Sequence, residues 1–499
     1  MRSAALRDGA LLTLVALALR SWGLGAQSLW LDEVLQVRMS GLPVGDMIHR
    51  ILAGGDNSPP LYHLLLHLVL RSGGETEAWV RGLSVLFGTA AIPLLYVLVR
   101  ELAEERTARI AALLLALSPL HIWYSQEARM YALAVTLVLA ATLALVRARR
   151  APSLGAWVVY TLLAAAALYT YLYVAFALLA HGCWLLSGRE TRRLLRPWLV
   201  SQGVAVVLFL PWAAAFVQRP EFSAGLEKHI NPVLSLGYTL VTFLGGYSIG
   251  PSVGQLHVLH GWGGLRPHLP LLAVYGAAGL STALLALWQW RAAGRLLPLT
   301  LCMLAACLLG PLVVSALLPG VTYNVRYALL ALPFFLMVLA SGATSCGRQA
   351  AVAITALLVL LSGYAAVRGH TLPVYFKEDN RAAARYVAAR VRPDDGVLLE
   401  TPEPFRYYFR DREATTYDLP RGLKTAELER EVAPLIARQR RVWLVECRGW
   451  TVDPTGALPA HLERSLEQVG VPAEFPGVRV IGYRRRVAED GSALPADRQ

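Results

Sequence analysis

Residues 108–146 read ARIAALLLALSPLHIWYSQEARMYALAVTLVLAATLALV. Two apolar runs, 108–125 and 130–146, are joined by a short turn whose charges are Glu127 and Arg129. A hydrocarbon layer takes roughly 17 to 25 apolar residues, and each run is of that length. Apart from Arg109 at its start, neither run shows the charged stripe that a soluble surface helix presents to water. Two spans joined by a short polar turn define a polytopic membrane protein.

Working outward, the same signature recurs near 8–25, 80–99, 154–170, 171–187, 198–217, 269–289, 297–318, 327–345 and 350–367, which makes about eleven transmembrane helices. The composition agrees, with 56% of residues apolar and 16% charged. That departs from the soluble norm of roughly 45 to 50% and 25%. The charge is uneven. Before Arg368 there are 25 basic and 14 acidic residues, and from there on 22 and 20, so a membrane domain, 1–367, is expected to precede a water-exposed domain, 368–499. Most of the net charge of +13 therefore belongs to the membrane part. There the positive-inside bias explains it, and no nucleic-acid partner is implied.

The stretch Pro59 to Leu70 is too short to cross and opens on two prolines, so it is read as a helix lying in the interface of the first outer loop. With eleven crossings and a cytoplasmic N-terminus, the short inner connections hold fifteen basic residues and the longer outer loops ten. The outer loops are then 26–79, 121–129, 218–268 and 319–326, and the tail is extracytoplasmic. The first segment also has the basic start and small residues of a signal peptide, but its removal would cut the acidic loop from its anchor. In the tail, Arg381 to Val391 and Leu458 to Val469 read as helices, and Gly396 to Glu400, Arg441 to Glu446 and Val478 to Tyr483 as strands of a small α/β domain. Its arginines read as a solvated or headgroup-facing surface. The five cysteines carry no disulfide framework.

Ionisable groups in a membrane part are functional candidates, and here the acids collect at the outer ends of spans. Trp30-Leu31-Asp32-Glu33 follows the first span and Glu127 the third. The bland alternative is polar capping of helix ends. His63 and His67 share a helix face at i, i+4 spacing, and His257 and His260 lie together in a later outer loop. They are weak candidates for a divalent metal, with a polar interface face as the alternative, and no cofactor is expected. The glycines of 243–252 suit either a mobile cover or a plain flexible loop.

Taken in order, Trp30-Leu31-Asp32-Glu33, Asn57-Ser58-Pro59-Pro60-Leu61-Tyr62, Arg81, Ser125-Gln126-Glu127-Ala128-Arg129-Met130-Tyr131-Ala132 and Arg326-Tyr327 resemble the membrane glycosyltransferases related to protein O-mannosyltransferases and the aminoarabinose transferases of lipid A, a glycosyltransferase 39-like superfamily. The resemblance covers roughly residues 8–345. It implies a GT-C architecture and transfer of a sugar, hexosyl or pentosyl, from a polyprenyl-phosphate-linked donor to a lipid, glycan or protein acceptor at the outer face of a bacterial-type inner membrane. On this resemblance Asp32 is the base, with Glu33 beside it, and Glu127 positions the acceptor or an arginine. Arg81, Arg129 and Arg326 hold the carrier phosphate, with snorkelling helix-end arginines as the alternative. Tyr62, Tyr124, Tyr247 and Tyr327 face substrate. Relatives often carry Lys or His just before the paired prolines, where this chain has Ser58. A polytopic transporter or flippase is the main rival, against which stand the missing repeat and mid-span charges. A non-catalytic assembly partner of the same fold is the other.

The topology gives the first prediction. A reporter fused after Val367 should be active only outside the cytoplasm, and cytoplasmic activity there would make the number of crossings even and overturn the placement of the tail.

Overall fold

A computed structural model of the chain describes residues 2–56, 58–217, 232–258, 262–289, 296–318, 321–410, 414–422 and 425–486. Of the outer loops read from the sequence, 218–231, 259–261 and 319–320 lie outside the described residues, as does Asn57. The chain divides into two compact units. One comprises Met1–Leu24, Gln36–Gly250 and Pro267–Gly369, the other Gly25–Leu35, Pro251–Arg266 and His370–Gln499. The second unit thus takes in two segments that precede Val367, the acidic stretch among them.

The first unit is helical. It opens with α1 (Arg2–Ser21), followed after α2 (Leu31–Ser40) by α3 (Val44–Leu52), α4 (Pro60–Gly73), α5 (Glu77–Leu102), α6 (Glu105–Leu117), α7 (Pro119–Ser125) and α8 (Tyr131–Arg150). Among the described residues eight helices are long and apolar enough to cross a membrane, and α6 with α7, bent by 57°, is a ninth if counted as one span. Two shorter apolar helices, Leu154–Leu168 and Val174–Ser187, fall where the sequence places its fifth and sixth spans. The chain is a multi-pass membrane protein. One segment differs from the sequence reading: Pro232–Ile249, assigned above to an outer loop, is a helix apolar enough to span. The glycine stretch 243–252 is correspondingly no loose cover. Phe243, Leu244, Tyr247 and Ile249 are buried in it, and Gly246 adopts φ +62 where a side chain would meet Pro119 Cβ at 2.9 Å.

The bend between α6 and α7 follows from the local sequence. Pro119 has no N–H to continue the ladder and suits a first helical position. The Ser118 hydroxyl accepts from His121 N at 3.3 Å and caps the new helix. The carbonyls freed at the end of α6 need donors, because lipid supplies none. Arg20, fully buried at the end of α1, donates to Leu115 O (3.1 Å), Ala116 O (3.0 Å) and His121 Nδ1 (2.7 Å). A buried guanidinium thereby repairs the break.

The second unit contains a sheet of β1 (Asp395–Leu399), β2 (Thr415–Asp418), β3 (Arg441–Cys447), β4 (Leu466–Gln468), β5 (Ala473–Phe475) and β6 (Val478–Arg485). The order is β2-β1-β3-β6-β4, with β5 also pairing β6. β1 runs parallel to β2 and β3, and β6 runs antiparallel to β3 with Leu444 opposite Ile481. Alternate residues face opposite ways along a strand. Val397, Leu399, Trp443 and Val445 pack on one face against Ala383, Ala384 and Val387. Leu398, Val442 and Leu444 pack on the other against Leu428, Val432 and Ile436. Both faces being covered, the strands read as unbroken apolar runs. The expected helix at Leu458 ends at Ser465, where the chain turns into β4.

Close helix packing yields a prediction. A Cβ on Gly342 would lie 1.9 Å from the Thr282 carbonyl oxygen, whereas one on Gly82 meets nothing within 4 Å. Gly342→Ala should lower stability by about 1 to 3 kcal/mol through overpacking, and Gly82→Ala should not, as read by thermal melting of the purified protein in detergent. Equal melting of the two variants would contradict this packing.

Candidate active site

The second unit holds the first acidic loop. Asp32 and Glu33 occupy the first turn of α2, where the positive end of the helix dipole favours a carboxylate. Neighbouring helical residues point about 100° apart, and the two acids differ accordingly. Asp32 is half-buried. Glu33 is fully buried and paired with Lys377 Nζ at 3.4 Å, itself only 7% exposed. Arg448 pairs with Glu378 at 2.7 Å and lies over the Trp30 ring at 5.1 Å. Burial works against its charge, but the carboxylates of Glu378 and Asp32 more than offset this and raise its pKa above the ordinary value. Glu400, at the end of β1, is pushed up to about 8 by burial, although the Cys447 N–H donates to it.

The first unit holds the second acid and a buried polar network. Glu127 is buried in the turn after α7. Arg129, two residues on, donates to Gln36 Oε1 (3.1 Å) and Ser58 Oγ (3.3 Å) and lies 3.8 Å from Asp56. Asp56 also accepts from Ser58 N (2.7 Å) and lies 3.4 Å from His63 Nε2. Gln36 Nε2 closes the ring by donating to His63 Nδ1 at 2.6 Å. Burial alone would raise the Asp56 pKa, but the close contact with His63 and the charge of Arg129 hold it well below the usual carboxylate range.

The remaining candidates sort by environment. Arg81 is buried and donates to Leu24 O at 2.8 Å. Tyr62 lies in the core, where its hydroxyl meets Ser84 (2.7 Å), which donates to Arg129 O (3.1 Å). Tyr124 and Tyr247 share a 2.6 Å hydrogen bond. Tyr327 stacks on Tyr173 at 4.8 Å and 8°, and Arg326 lies over the Tyr327 ring at 5.5 Å. Rings at 4.9 to 5.7 Å continue from Tyr124 through Tyr131 and Tyr171 to Tyr173. Arg326 and these tyrosines thus form one aromatic cluster.

Residues 57–214 match the family described as dolichyl-phosphate-mannose-protein mannosyltransferase. Along almost the whole chain the backbone is similar to the apo crystal structure of ArnT from Cupriavidus metallidurans, with a TM-score of 0.59 and 14% identity over 96% of this chain and 98% of that one. The fold is that of the GT-C glycosyltransferases. ArnT bound to undecaprenyl phosphate is similar at a TM-score of 0.56, with 14% identity over 95% of this chain and 97% of that one. The Archaeoglobus fulgidus oligosaccharyltransferase AglB, in complex with an inhibitory peptide and a dolichol-phosphate, is similar at 0.54, with 13% identity over 97% of this chain and 74% of that one. No curated protein sequence gives a significant match.

In this chain the histidines of α4 serve its polar network. His63 binds Gln36 and faces Asp56, and His67 Nδ1 donates to Ser40 O at 2.8 Å. His257 lies in the helix Val253–Val258 of the second unit, and His260 lies outside the described residues. Among the described residues no group of three or more His, Cys, Asp or Glu side chains is arranged to hold a metal ion. Sequence reasoning missed Asp56, Gln36, Lys377 and Arg448. Asp56, one residue before the Asn-Ser-Pro-Pro run, was the acid within its reach.

Asp56 supplies a prediction. Asp56→Asn leaves Arg129 buried without its carboxylate, and breaking a buried pair from one side costs about 3 to 5 kcal/mol. A group with a depressed folded pKa stabilises above its unfolded value, near 3.9, and that contribution is lost as pH falls through the folded value. The melting deficit of the variant against wild type should therefore be present at pH 5 to 8 and begin to shrink only below about pH 4. An Asp56→Asn protein that melts like wild type at pH 7 would overturn the pair.

Proposed function

We propose that this chain transfers a sugar from a polyprenyl-phosphate-linked donor to an acceptor at the outer face of the inner membrane, with its N-terminus in the cytoplasm and the C-terminal domain, 368–499, outside. The observation that carries the reading is the pair of neighbouring acids on α2. Glu33 is buried against Lys377, while Asp32 keeps access to water at a helix N-terminus. A departing phosphate needs positive charge rather than a general acid, so the chemistry calls for one accessible carboxylate and arginines. Asp32 removes the proton from the acceptor hydroxyl or amine. Glu127 orients acceptor or arginine, and the arginines bind phosphate. Arg326 lies over the Tyr327 ring within the tyrosine cluster, and Arg129 lies 3.8 Å from Asp56. The match to the mannosyltransferase family over 57–214 and the undecaprenyl phosphate bound by ArnT support this donor class. The acceptor is a lipid, glycan or protein. The reaction needs no resident cofactor.

The test is single-turnover transfer by the purified protein in lipid nanodiscs, using polyprenyl-phosphate-linked hexose and pentose donors. Asp32→Asn should bind donor normally and transfer about 10² to 10⁴ times more slowly. Glu33→Gln should slow transfer less and lower the melting temperature, since it leaves Lys377 buried without its counter-charge. Near-normal transfer by Asp32→Asn would refute the base. Loss of activity to a chelator, restored only by a divalent ion, would bring a metal into the reaction.

A further inference from the structure

β3 ends at Cys447, and the next residue, Arg448, sits in the left-handed region with φ 59 and ψ 43. It is the one non-glycine residue with positive φ among the described residues. For a long side chain this conformation is disfavoured by the contact between Cβ and the following carbonyl oxygen. It persists where the surroundings over-determine it, and such strain collects at functional sites. Here the surroundings are the acidic loop. Arg448 Nε donates to Glu378 Oε1 at 2.7 Å, and Glu378 O accepts from Ser28 Oγ at 2.7 Å. The guanidinium covers Trp30, two residues before Asp32. Lys377 N donates to Gln27 Oε1 at 3.0 Å, and Leu29 N to the Tyr408 hydroxyl at 2.7 Å. Residues 27–33 are thus fastened to the sheet domain along their length.

The position within the sheet adds to this. β1 lies between β2 and β3, and the chain goes first to β2 on one side and then to β3 on the other. The crevice at the carboxyl ends of such a pair is where α/β sheets take their ligands. Glu400 and Thr401 follow β1 and bind Cys447 N and O at 2.8 and 2.7 Å. Arg448 stands at the β3 side of the same edge and meets the chain's own acidic loop.

We propose that Arg448 is a positioning residue for sugar transfer: the left-handed turn after β3 and the Glu378 carboxylate aim its guanidinium so that it fixes the Trp30–Asp32 segment beside a positive charge. The inference rests on the reading of Asp32 as the base. Among the described residues, the charged and titratable groups that face the arginine and this segment include Glu378, Lys377, Glu33, Arg381, Glu400, Tyr408 and Cys447. Removing the cation should make the Asp32 carboxylate easier to protonate, and the acid limb of the pH–rate profile then moves to higher pH.

Two variants suit the backbone. Arg448→Gly and Arg448→Asn both accept a left-handed conformation, so loss of the guanidinium is separated from strain. With the full chain in nanodiscs, each should slow single-turnover transfer at least tenfold near pH 6 and raise the acid limb by about one pH unit, with donor KM unchanged. Arg464→Gln, an exposed control, should match wild type. Hydrogen exchange gives a second readout that needs no activity: amides of residues 27–33 should exchange faster in both variants, with the strands β1 and β3 unchanged. An unmoved acid limb in an active variant, or unchanged exchange in 27–33, overturns the proposal. Absence of transfer by the wild type would instead sink the proposed function, and the exchange result would still decide whether Arg448 holds the loop.

Discussion

A helix that breaks among apolar neighbours must find donors for the carbonyls it releases, since lipid offers none. In the first unit this constraint is met by Arg20, whose guanidinium takes Leu115 O and Ala116 O where α6 gives way to α7. The bend it permits aims α7, and with it Tyr124, and it delivers the turn from Glu127 to Arg129. That turn is held from below as well, because Ser84 donates to Arg129 O and accepts from Tyr62. Gly88 is needed at the same level: a Cβ there would lie 2.1 Å from Ser125 Oγ. Backbone satisfaction and close packing thus help to place the second acid.

Charge within each unit obeys a similar rule. Buried ions are costly to desolvate and are found with partners. Arg129 has Asp56, Glu33 has Lys377, and Arg448 has Glu378. These pairs are weak evidence for stability as such, because an apolar replacement of both members is often neutral. Their common effect is orientation. Each fixes a segment beside a candidate reacting group, and Asp32 stays half-buried at the start of α2.

Much of the architecture was legible because the membrane imposes a length and a polarity that composition alone reveals. Each of the eleven apolar segments falls on a helix, and the β1, β3 and β6 strands lie where unbroken apolar runs place them. Pro232–Ile249 escaped because its glycines and polar residues hold its apolar average close to the threshold for a span. The short edge strand β2, Thr415–Asp418, and the amphipathic helix Thr425–Arg438 escaped because neither carries a long apolar run. Of the site, the acids and arginines were visible as types, but their partners were not. Arg448 lies 416 residues along the chain from Asp32, and only the fold brings such groups to one place. The tail's arginines read from the sequence as a solvated surface, and for Arg448 burial against Glu378 and Trp30 corrects that reading.

One departure from the resembled families has a physical resolution. Relatives often carry a cation immediately before the paired prolines, and this chain has Ser58 there. The structure brings a cation to that place from another segment: Arg129 donates to Ser58 Oγ at 3.3 Å. The substitute is not equivalent. A lysine on the chain would bring an uncompensated point charge, whereas Arg129 is offset by Asp56 and spends donors on Gln36 and Ser58. A neutralised guanidinium orients more than it attracts. The polar ring of Asp56, His63, Gln36 and Arg129 is then the frame that keeps the turn bearing Glu127 in place.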